Sequence, residues 1–318
     1  MKAPWLVSAL LVASAFGCEQ AHSKLDGVKG EMPADKPQAA APVAADHSGD
    51  VETRLRRLEE AYAKNAEALE FLGKVYAQQK QQEQQQAAEE HDPDAMFAVN
   101  IAQDIKAGKV DGPATAAVTV IKAFDFACPY CQRTASIMDD LVKEYAGKVR
   151  VVYMDLVVHP QVATTAHLAT CAAAKQQKYK AYKNVVWEKG FNAYAQSRDP
   201  SKLGEENLIA IAKEVGLDTA RLATDMKSPE CQALIQADMD ELGKFKVSGT
   251  PGFFINGKFI GGALPKEGFK QIIDEQLKIV EASGVPGADY YEKVVLAKGE
   301  KAFKSAAEQG GGHDGHGH

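Results

Sequence analysis

The sequence has no surplus of positive charge. Lys and Arg number 37 against 43 Asp and Glu, a net charge of −6 over 318 residues. A generic nucleic-acid binder needs a basic face, so that class is set aside. Runs long enough to span a bilayer are also missing. The one long apolar run, residues 5–15, is too short for a membrane helix. No strong internal repeat is present. Cysteines are few and odd in number: Cys18, Cys128, Cys131, Cys171 and Cys231. Cys128 and Cys131 have no second C-x-x-C or C-x-x-H pair in the globular part, which argues against half of a zinc site, and no metal is expected there. What is present suffices for a packed core: 45% apolar and 25% charged residues.

The N-terminus reads as an address. A single Lys2 precedes the apolar residues 5–15, about the length of a signal h-region. Ala13-Ser14-Ala15 fits a general signal-peptidase site. Ala15-Phe16-Gly17-Cys18 resembles a bacterial lipoprotein box, with Cys18 as the lipidated residue. Residues 1–18 are therefore read as a leader that exports the chain to the periplasm or cell envelope, either anchored by lipid at Cys18 or released by a cut after Ala15. Export places the thiols in an oxidising compartment. Residues 19–50, rich in Ala, Pro, Lys and Asp, have too little apolar surface to offset ordering entropy and read as a tether.

Residues 51–90 carry a heptad. Val51, Leu55, Leu58, Tyr62, Asn65, Leu69, Leu72, Tyr76 and Gln79 alternate spacings of four and three, the pattern of a coiled-coil seam. Asn65 interrupts it, as one buried amide can to fix register. Arg54 and Glu59 have the spacing of an interchain pair, and Ala61, Ala66, Ala68 and Gly73 keep the flanks small enough for more than two helices. The expected outcome is a homo-oligomer. A helix folded back on its own domain is the alternative.

A globular domain is expected over 96–284. Residues 96–101 read as a short strand, 117–124 as a β-rich run, 131–145 as a helix and 149–155 as a buried strand. A helical block follows over about 161–242, then a hairpin turning at Asn256-Gly257 and a helix over 266–282. The order gives an α/β sandwich with mixed strand directions. Residues 285–318 read as a tail. Its His313, His316 and His318 are either weak Cu or Zn ligands or part of a flexible polar end.

Cys128-Pro129-Tyr130-Cys131 falls where a strand meets a helix. Unpaired N–H groups and the dipole at a helix start stabilise a thiolate, the form that attacks disulfides. Pro129 suits a first helical turn. Two intervening residues put the sulfurs about one turn apart, so they can close a ring, with Cys128 as the exposed nucleophile and Cys131 as the resolving thiol. Further on, Thr250-Pro251 opens a strand, where proline can adopt a cis bond.

Residues 124–131 (FDFACPYC) and 248–257 (SGTPGFFING) together resemble the DsbA-type thiol–disulfide oxidoreductases of the thioredoxin superfamily, over about residues 96–282. The resemblance implies a thioredoxin fold with an inserted helical subdomain, here 161–242. It also implies a cis Pro251 beside the dithiol and a Thr250 backbone that pairs with extended substrate. Glutaredoxins share Cys-Pro-Tyr-Cys but lack the insert. Many members of the DsbA-type family carry an acid six residues before the first cysteine; here that residue is Lys122. It either accepts the Cys131 proton after burial lowers its pKa, favours the thiolate by its charge, or faces solvent.

Cys171 and Cys231 fall inside the insert and are expected to form a structural disulfide, the alternative being two buried free thiols. His159 and His167 are read as satisfying local polar groups. The N-terminal helix ahead of such a domain resembles the trimeric suppressor-of-copper-sensitivity (ScsC) branch. The expected activity is therefore exchange on cysteines of exported proteins, with isomerase or reductase work ahead of a monomeric disulfide-donating oxidase. It uses a membrane redox partner and no cofactor beyond the redox-active disulfide. A lipid-anchored spacer or copper-binding envelope protein is the reading from another class.

Overall fold

A computed structural model describes residues 48–308. The leader, Cys18, most of the tether and the three C-terminal histidines lie outside the described residues. Contacts divide the chain into two units, Met1–Glu70 and Phe71–His318. Helix α1, Val51–Glu89, is 39 residues long and buries none of its side chains. Leu55, Leu58, Tyr62, Leu69, Leu72 and Tyr76 are all exposed on it.

The domain is built on one five-stranded sheet of order β1-β3-β2-β4-β5. These strands are β1 (Val110–Asp111), β2 (Val118–Phe124), β3 (Val149–Asp155), β4 (Gly252–Ile255) and β5 (Lys258–Gly261). Within it only β2 and β3 pair in parallel. Both are buried along their whole length, as expected for central strands covered on both faces. Alternation sorts their side chains. Val118, Val120, Phe124, Val149, Val151 and Tyr153 face one core, with Met138, Leu141, Phe269 and Ile273. Ile121, Ala123, Val152 and Met154 face a second core, with Phe97, Phe245, Tyr290 and Tyr291.

Helix α3 (Pro129–Glu144) connects β2 to β3, and α10 (Lys266–Ala282) follows the hairpin. Between β3 and β4 lies the helical insert: α4 (Pro160–Ala174), α5 (Tyr179–Val185), α6 (Asn192–Ser197), α7 (Glu205–Glu214), α8 (Thr219–Asp225) and α9 (Pro229–Lys244). The Cys171–Cys231 disulfide joins α4 to α9, as the sequence reading expected. The hairpin turns at Asn256 and Gly257, both at positive φ. A Cβ on Gly257 would lie 2.9 Å from the Phe97 carbonyl oxygen, so the turn can approach Phe97 only with glycine there. The α/β thioredoxin fold with a helical insert, expected from the sequence, is what the chain adopts.

Two expectations need correction. Residues 96–101 form no strand; Phe97 makes a single bridge to Glu300 and donates its N–H to Gly257 O. The apolar segment is satisfied by the hairpin turn and the end of the chain rather than by a sheet neighbour. A short helix, α2 (Ala102–Lys106), and β1 follow it. Nor does the tail start at residue 285. Residues 287–296 are helical and bury Tyr290, Tyr291 and Val295 in the second core. Beyond them the chain runs back along the domain entry: Glu300 N–H to Met96 O, Ala98 N–H to Glu300 O, Asp92 N–H to Lys304 O and Ala306 N–H to Glu90 O. Three buried aromatic or branched side chains make this segment part of the fold.

Candidate active site: a dithiol at a helix start

The loop from β2 into α3 is held by its own aspartate. Asp125 is fully buried. Its Oδ1 accepts the Ala127 N–H at 2.6 Å, and its Oδ2 accepts Val158 N–H at 2.7 Å and His159 N–H at 2.9 Å. Its carbonyl accepts the Cys128 N–H at 3.1 Å. The remaining loop donor, Phe126 N–H, goes to His167 Nε2 at 3.3 Å. That nitrogen must be the acceptor, so the ring proton sits on Nδ1, 2.6 Å from Asp155 Oδ1. Every backbone donor from Phe126 to Cys128 is thereby satisfied, which fixes where Cys128 stands.

Cys128 is the N-cap of α3, with Pro129 in its first turn. Both cysteines are free thiols. Cys128 is 4% exposed and Cys131 0%. The nucleophile is thus less open than the sequence reading expected, because the Thr250-Pro251 segment stands against it: Thr250 O accepts from Cys128 Sγ at 3.3 Å. The Thr250–Pro251 bond is cis. Tyr130 is 53% exposed, with the Arg133 guanidinium 4.2 Å from its ring centroid. Lys122 does not face solvent. It is 1% exposed, and its Nζ donates to Cys131 O at 3.0 Å. The physical reason is its strand: β2 is central, and Lys122 is in phase with Val118, Val120 and Phe124 on the core face.

The two thiols are driven apart electrostatically. The Cys131 thiol donates to Cys128; against the opposing effect of burial, this hydrogen bond, with Thr250 and the N–H groups of Cys131 and Tyr130, brings the Cys128 thiol down to about 5. Burial pushes the Cys131 thiol up, and its hydrogen bond to Cys128 adds to that. Burial lowers the Lys122 amine to about 8, opposed by the negative charges of Cys131, Asp139 and Cys128. The arrangement is one thiol that ionises readily, a second that is held protonated behind it, and a buried amine bonded to the backbone carbonyl of the second cysteine. Titrating the thiolate absorbance of the reduced protein should therefore give one midpoint near pH 5 that disappears in Cys128→Ser. A first midpoint in the ordinary thiol range near 8.5 would contradict this geometry.

Of the residues expected from the sequence, Cys128, Cys131, Pro129, Tyr130, Lys122, Thr250 and Pro251 come together here. Cys171 and Cys231 stand apart in the insert. Asp125 falls within the motif, but nothing in its spacing points to its four hydrogen bonds. The other supports, Asp155 and the Lys109 cluster described below, carried no sequence signal.

A family model for thioredoxin matches residues 104–275, just over half of the 318 residues. The chain belongs to the thioredoxin family. Among curated relatives, a Na(+)/H(+) antiporter NhaA of Herminiimonas arsenicoxydans is 26% identical over 177 residues, which are 56% of this chain and 27% of the antiporter. The NhaA 3 antiporter of Salinispora tropica is 32% identical over 152 residues, 47% of this chain and 22% of that one. The chain thus spans about a quarter of the length of the curated relatives it matches. No helix among its described residues is long and apolar enough to cross a membrane. Similar solved structures include a thioredoxin-like oxidoreductase from Silicibacter pomeroyi DSS-3, at 30% identity and a TM-score of 0.45 over 53% of this chain and 91% of that one. A linker-deletion mutant of Proteus mirabilis ScsC matches at 16% identity and a TM-score of 0.47, over 74% of this chain and 100% of that one. Within this thioredoxin chain, the dithiol, the cis Pro251 and Lys122 all fall inside the matched residues.

Proposed function

We propose that this thioredoxin-family protein is a thiol–disulfide oxidoreductase of the bacterial cell envelope. It exchanges disulfides with cysteines of exported proteins through Cys128 and Cys131 and acts as an isomerase or reductase. The observation that carries the reading is the placement of the Cys128 sulfur against the Thr250 carbonyl, with Cys131 behind it and the Cys128 thiol lowered to about 5. The Cys128 thiolate attacks a substrate disulfide; one substrate sulfur leaves as thiolate and the other stays in a mixed disulfide. Lys122, neutral once deprotonated, takes the Cys131 proton. Cys131 then attacks Cys128 Sγ and releases the second substrate thiolate. The dithiol is the only redox group the reaction requires. A membrane thiol–disulfide partner resets it.

Export and lipid attachment at Cys18 follow from the leader. Self-association follows from the exposed apolar seam of α1, with a trimer as the proposed state. Several active sites facing one substrate raise effective concentration into the millimolar range. The test is refolding of scrambled ribonuclease by the full chain and by the chain lacking residues 19–90. Isomerase turnover per active site should fall about tenfold without the helix, while reduction of a small disulfide stays unchanged. Equal isomerase rates would remove the assembly reading. A second reading, a disulfide-donating oxidase, is favoured by the low Cys128 pKa, since a stabilised thiolate makes the disulfide more oxidising. The redox state of Cys128 and Cys131 in the native envelope separates the two: reduced for isomerase or reductase, oxidised for donor.

A further inference from the structure

Lysine is almost never fully buried unless paired, yet three are so among the described residues: Lys109, Lys122 and Lys183. Lys109 is neutralised by Asp104, Asp155 and Asp238. Lys122 and Lys183 have far less. Lys122 and Tyr153 are register partners on β2 and β3, so their side chains leave the sheet as neighbours on one face. Lys183, on α5, places its Nζ 3.7 Å from the centroid of that same Tyr153 ring and 4.0 Å from Asp139 Oδ1. Asp139 lies on α3, two turns beyond Cys131. Its Oδ2 accepts the Asn184 side-chain amide at 2.8 Å. Lys183 Nζ, Asp139 Oδ1 and the Tyr153 hydroxyl are buried with no hydrogen-bond partner. Three such atoms converging on one spot call for a reason other than stability.

The charges in this chamber do not balance. Facing the two amines are Cys128, Cys131 and Asp139 from α3, Tyr153 from β3, Asp111 from β1 and Lys180 from α5. Asp111 is already engaged by Lys180 at 2.6 Å. Asp139 is the carboxylate left for both Lys122 and Lys183. One carboxylate offsets one ammonium, and an apolar interior disfavours a second. Burial lowers Lys183 to about 7; Asp139 opposes that, and the charge of Lys122 adds to it.

We propose that Lys183 and Asp139 set the pH at which Lys122 gives up its proton: the two buried amines share one carboxylate, and each of these neighbours shifts how readily Lys122 empties to take the Cys131 proton. This rests on the reading of Lys122 as proton acceptor and adds what sets the pH at which the acceptor empties. In the resolving step the Cys131 S–H bond breaks and its proton moves to the neutral amine. The sulfur keeps the electron pair and bonds to Cys128 Sγ. The bond from Cys128 to the substrate sulfur breaks, and its pair leaves on the substrate thiolate. The substrate disulfide is the oxidant. Lys183 and Asp139 are positioning residues, since neither touches the reacting sulfurs. Removing them moves Lys122 in opposite directions. Without Lys183, Lys122 becomes the sole partner of Asp139 and holds its proton more tightly. Without the Asp139 charge, two amines face each other uncompensated and both release protons more readily.

The test mixes reduced full-length protein with dithiobis(nitrobenzoate) in a stopped-flow instrument. The first aromatic thiolate is released when Cys128 attacks, the second when Cys131 closes the ring. Lys183→Met should move the pH at which the second phase rises upward by about one unit and slow that phase about tenfold at neutral pH. Asp139→Asn, which keeps the volume and a partner for Asn184, should move it downward, and it reads the proposal even if Lys183→Met fails to fold. The first phase should be unchanged in both. Shifts in the same direction, or none in the variants that fold, overturn the proposal. Lys122→Met separates the two levels. A second phase that keeps its normal pH profile there removes Lys122 as acceptor. A flattened profile in Lys122→Met beside an unshifted Lys183→Met and Asp139→Asn removes only the role given to Lys183 and Asp139.

Discussion

Cys131→Ser should still attack substrate and then stop. Serine at this position keeps a hydroxyl that donates to the Cys128 sulfur, in place of the thiol that does so now, and the Thr250 side chain and the N–H groups at positions 130 and 131 that also favour the thiolate remain. The thiolate therefore survives and the first exchange proceeds. What is lost is a second sulfur held one helical turn away. A correctly placed intramolecular group reacts with an effective molarity far above any external thiol, so turnover should fall by at least about a thousandfold. The mixed disulfide should accumulate and be visible by mass spectrometry as a covalent adduct on Cys128. Cys128→Ser should form no adduct. Normal turnover in Cys131→Ser would show that another thiol resolves the intermediate.

The second large effect is on stability. Lys109 is 1% exposed. It bonds Asp104 at 2.7 Å and Asp155 at 2.9 Å, and also Asp238. Burial opposes its charge, but the three carboxylates outweigh burial and hold the ammonium well above its usual range. Burial likewise opposes the Asp155 charge, while Lys109 and His167 bring its carboxyl down to about 2. Lys109→Met leaves the carboxylates buried without their cation, a change worth about 3–5 kcal/mol at neutral pH. The part of the pH dependence that comes from Asp155 should change sign, whereas Asp104 and Asp238, whose carboxyls burial already holds above the usual range against the pull of Lys109, favour the folded state in acid with or without it. In the native protein, Asp155 has a folded value below its unfolded value near 3.9, so its contribution is present above that value and is lost as pH falls towards 2. In the variant, burial is no longer opposed by Lys109, and the folded value rises above the unfolded one. Acid then favours the folded state. Urea midpoints should be lower than wild type at neutral pH and recover on mild acidification. A variant that loses stability on acidification in parallel with wild type would show that the cluster is not held by Lys109. The active site feels this cluster, because Asp155 orients the ring of His167 that holds the Phe126 N–H.

Much of the catalytic loop was legible because its signals are local. Cys128, Pro129 and Cys131 announce a helix start; Asn256-Gly257 announces a two-residue turn; Thr250-Pro251 announces a strand entry. Lys122 was half legible. Its phase with Val118, Val120 and Phe124 marks the core side of β2, but a lysine in a strand reads equally as an outward residue until both faces of that strand are known to be covered. Lys183 and Asp139 were not legible at all, since they meet through packing between α3 and α5, elements separated by a whole strand and helix. The same holds for Lys109, whose three carboxylates come from α2, β3 and α9. The misreading of residues 96–101 and of the tail has one cause. Each segment finds its partner in the other, and neither local pattern shows a partner two hundred residues away.

That meeting of the two ends has a consequence for how the domain can be used. Backbone hydrogen bonds from Glu90 to Ala98 run against those from Glu300 to Ala306, so the polypeptide enters and leaves the thioredoxin unit side by side. A domain whose entrance and exit share one seam is a cassette. It can be spliced into a larger polypeptide, or have its ends rejoined and reopened elsewhere, without disturbing the sheet or the dithiol.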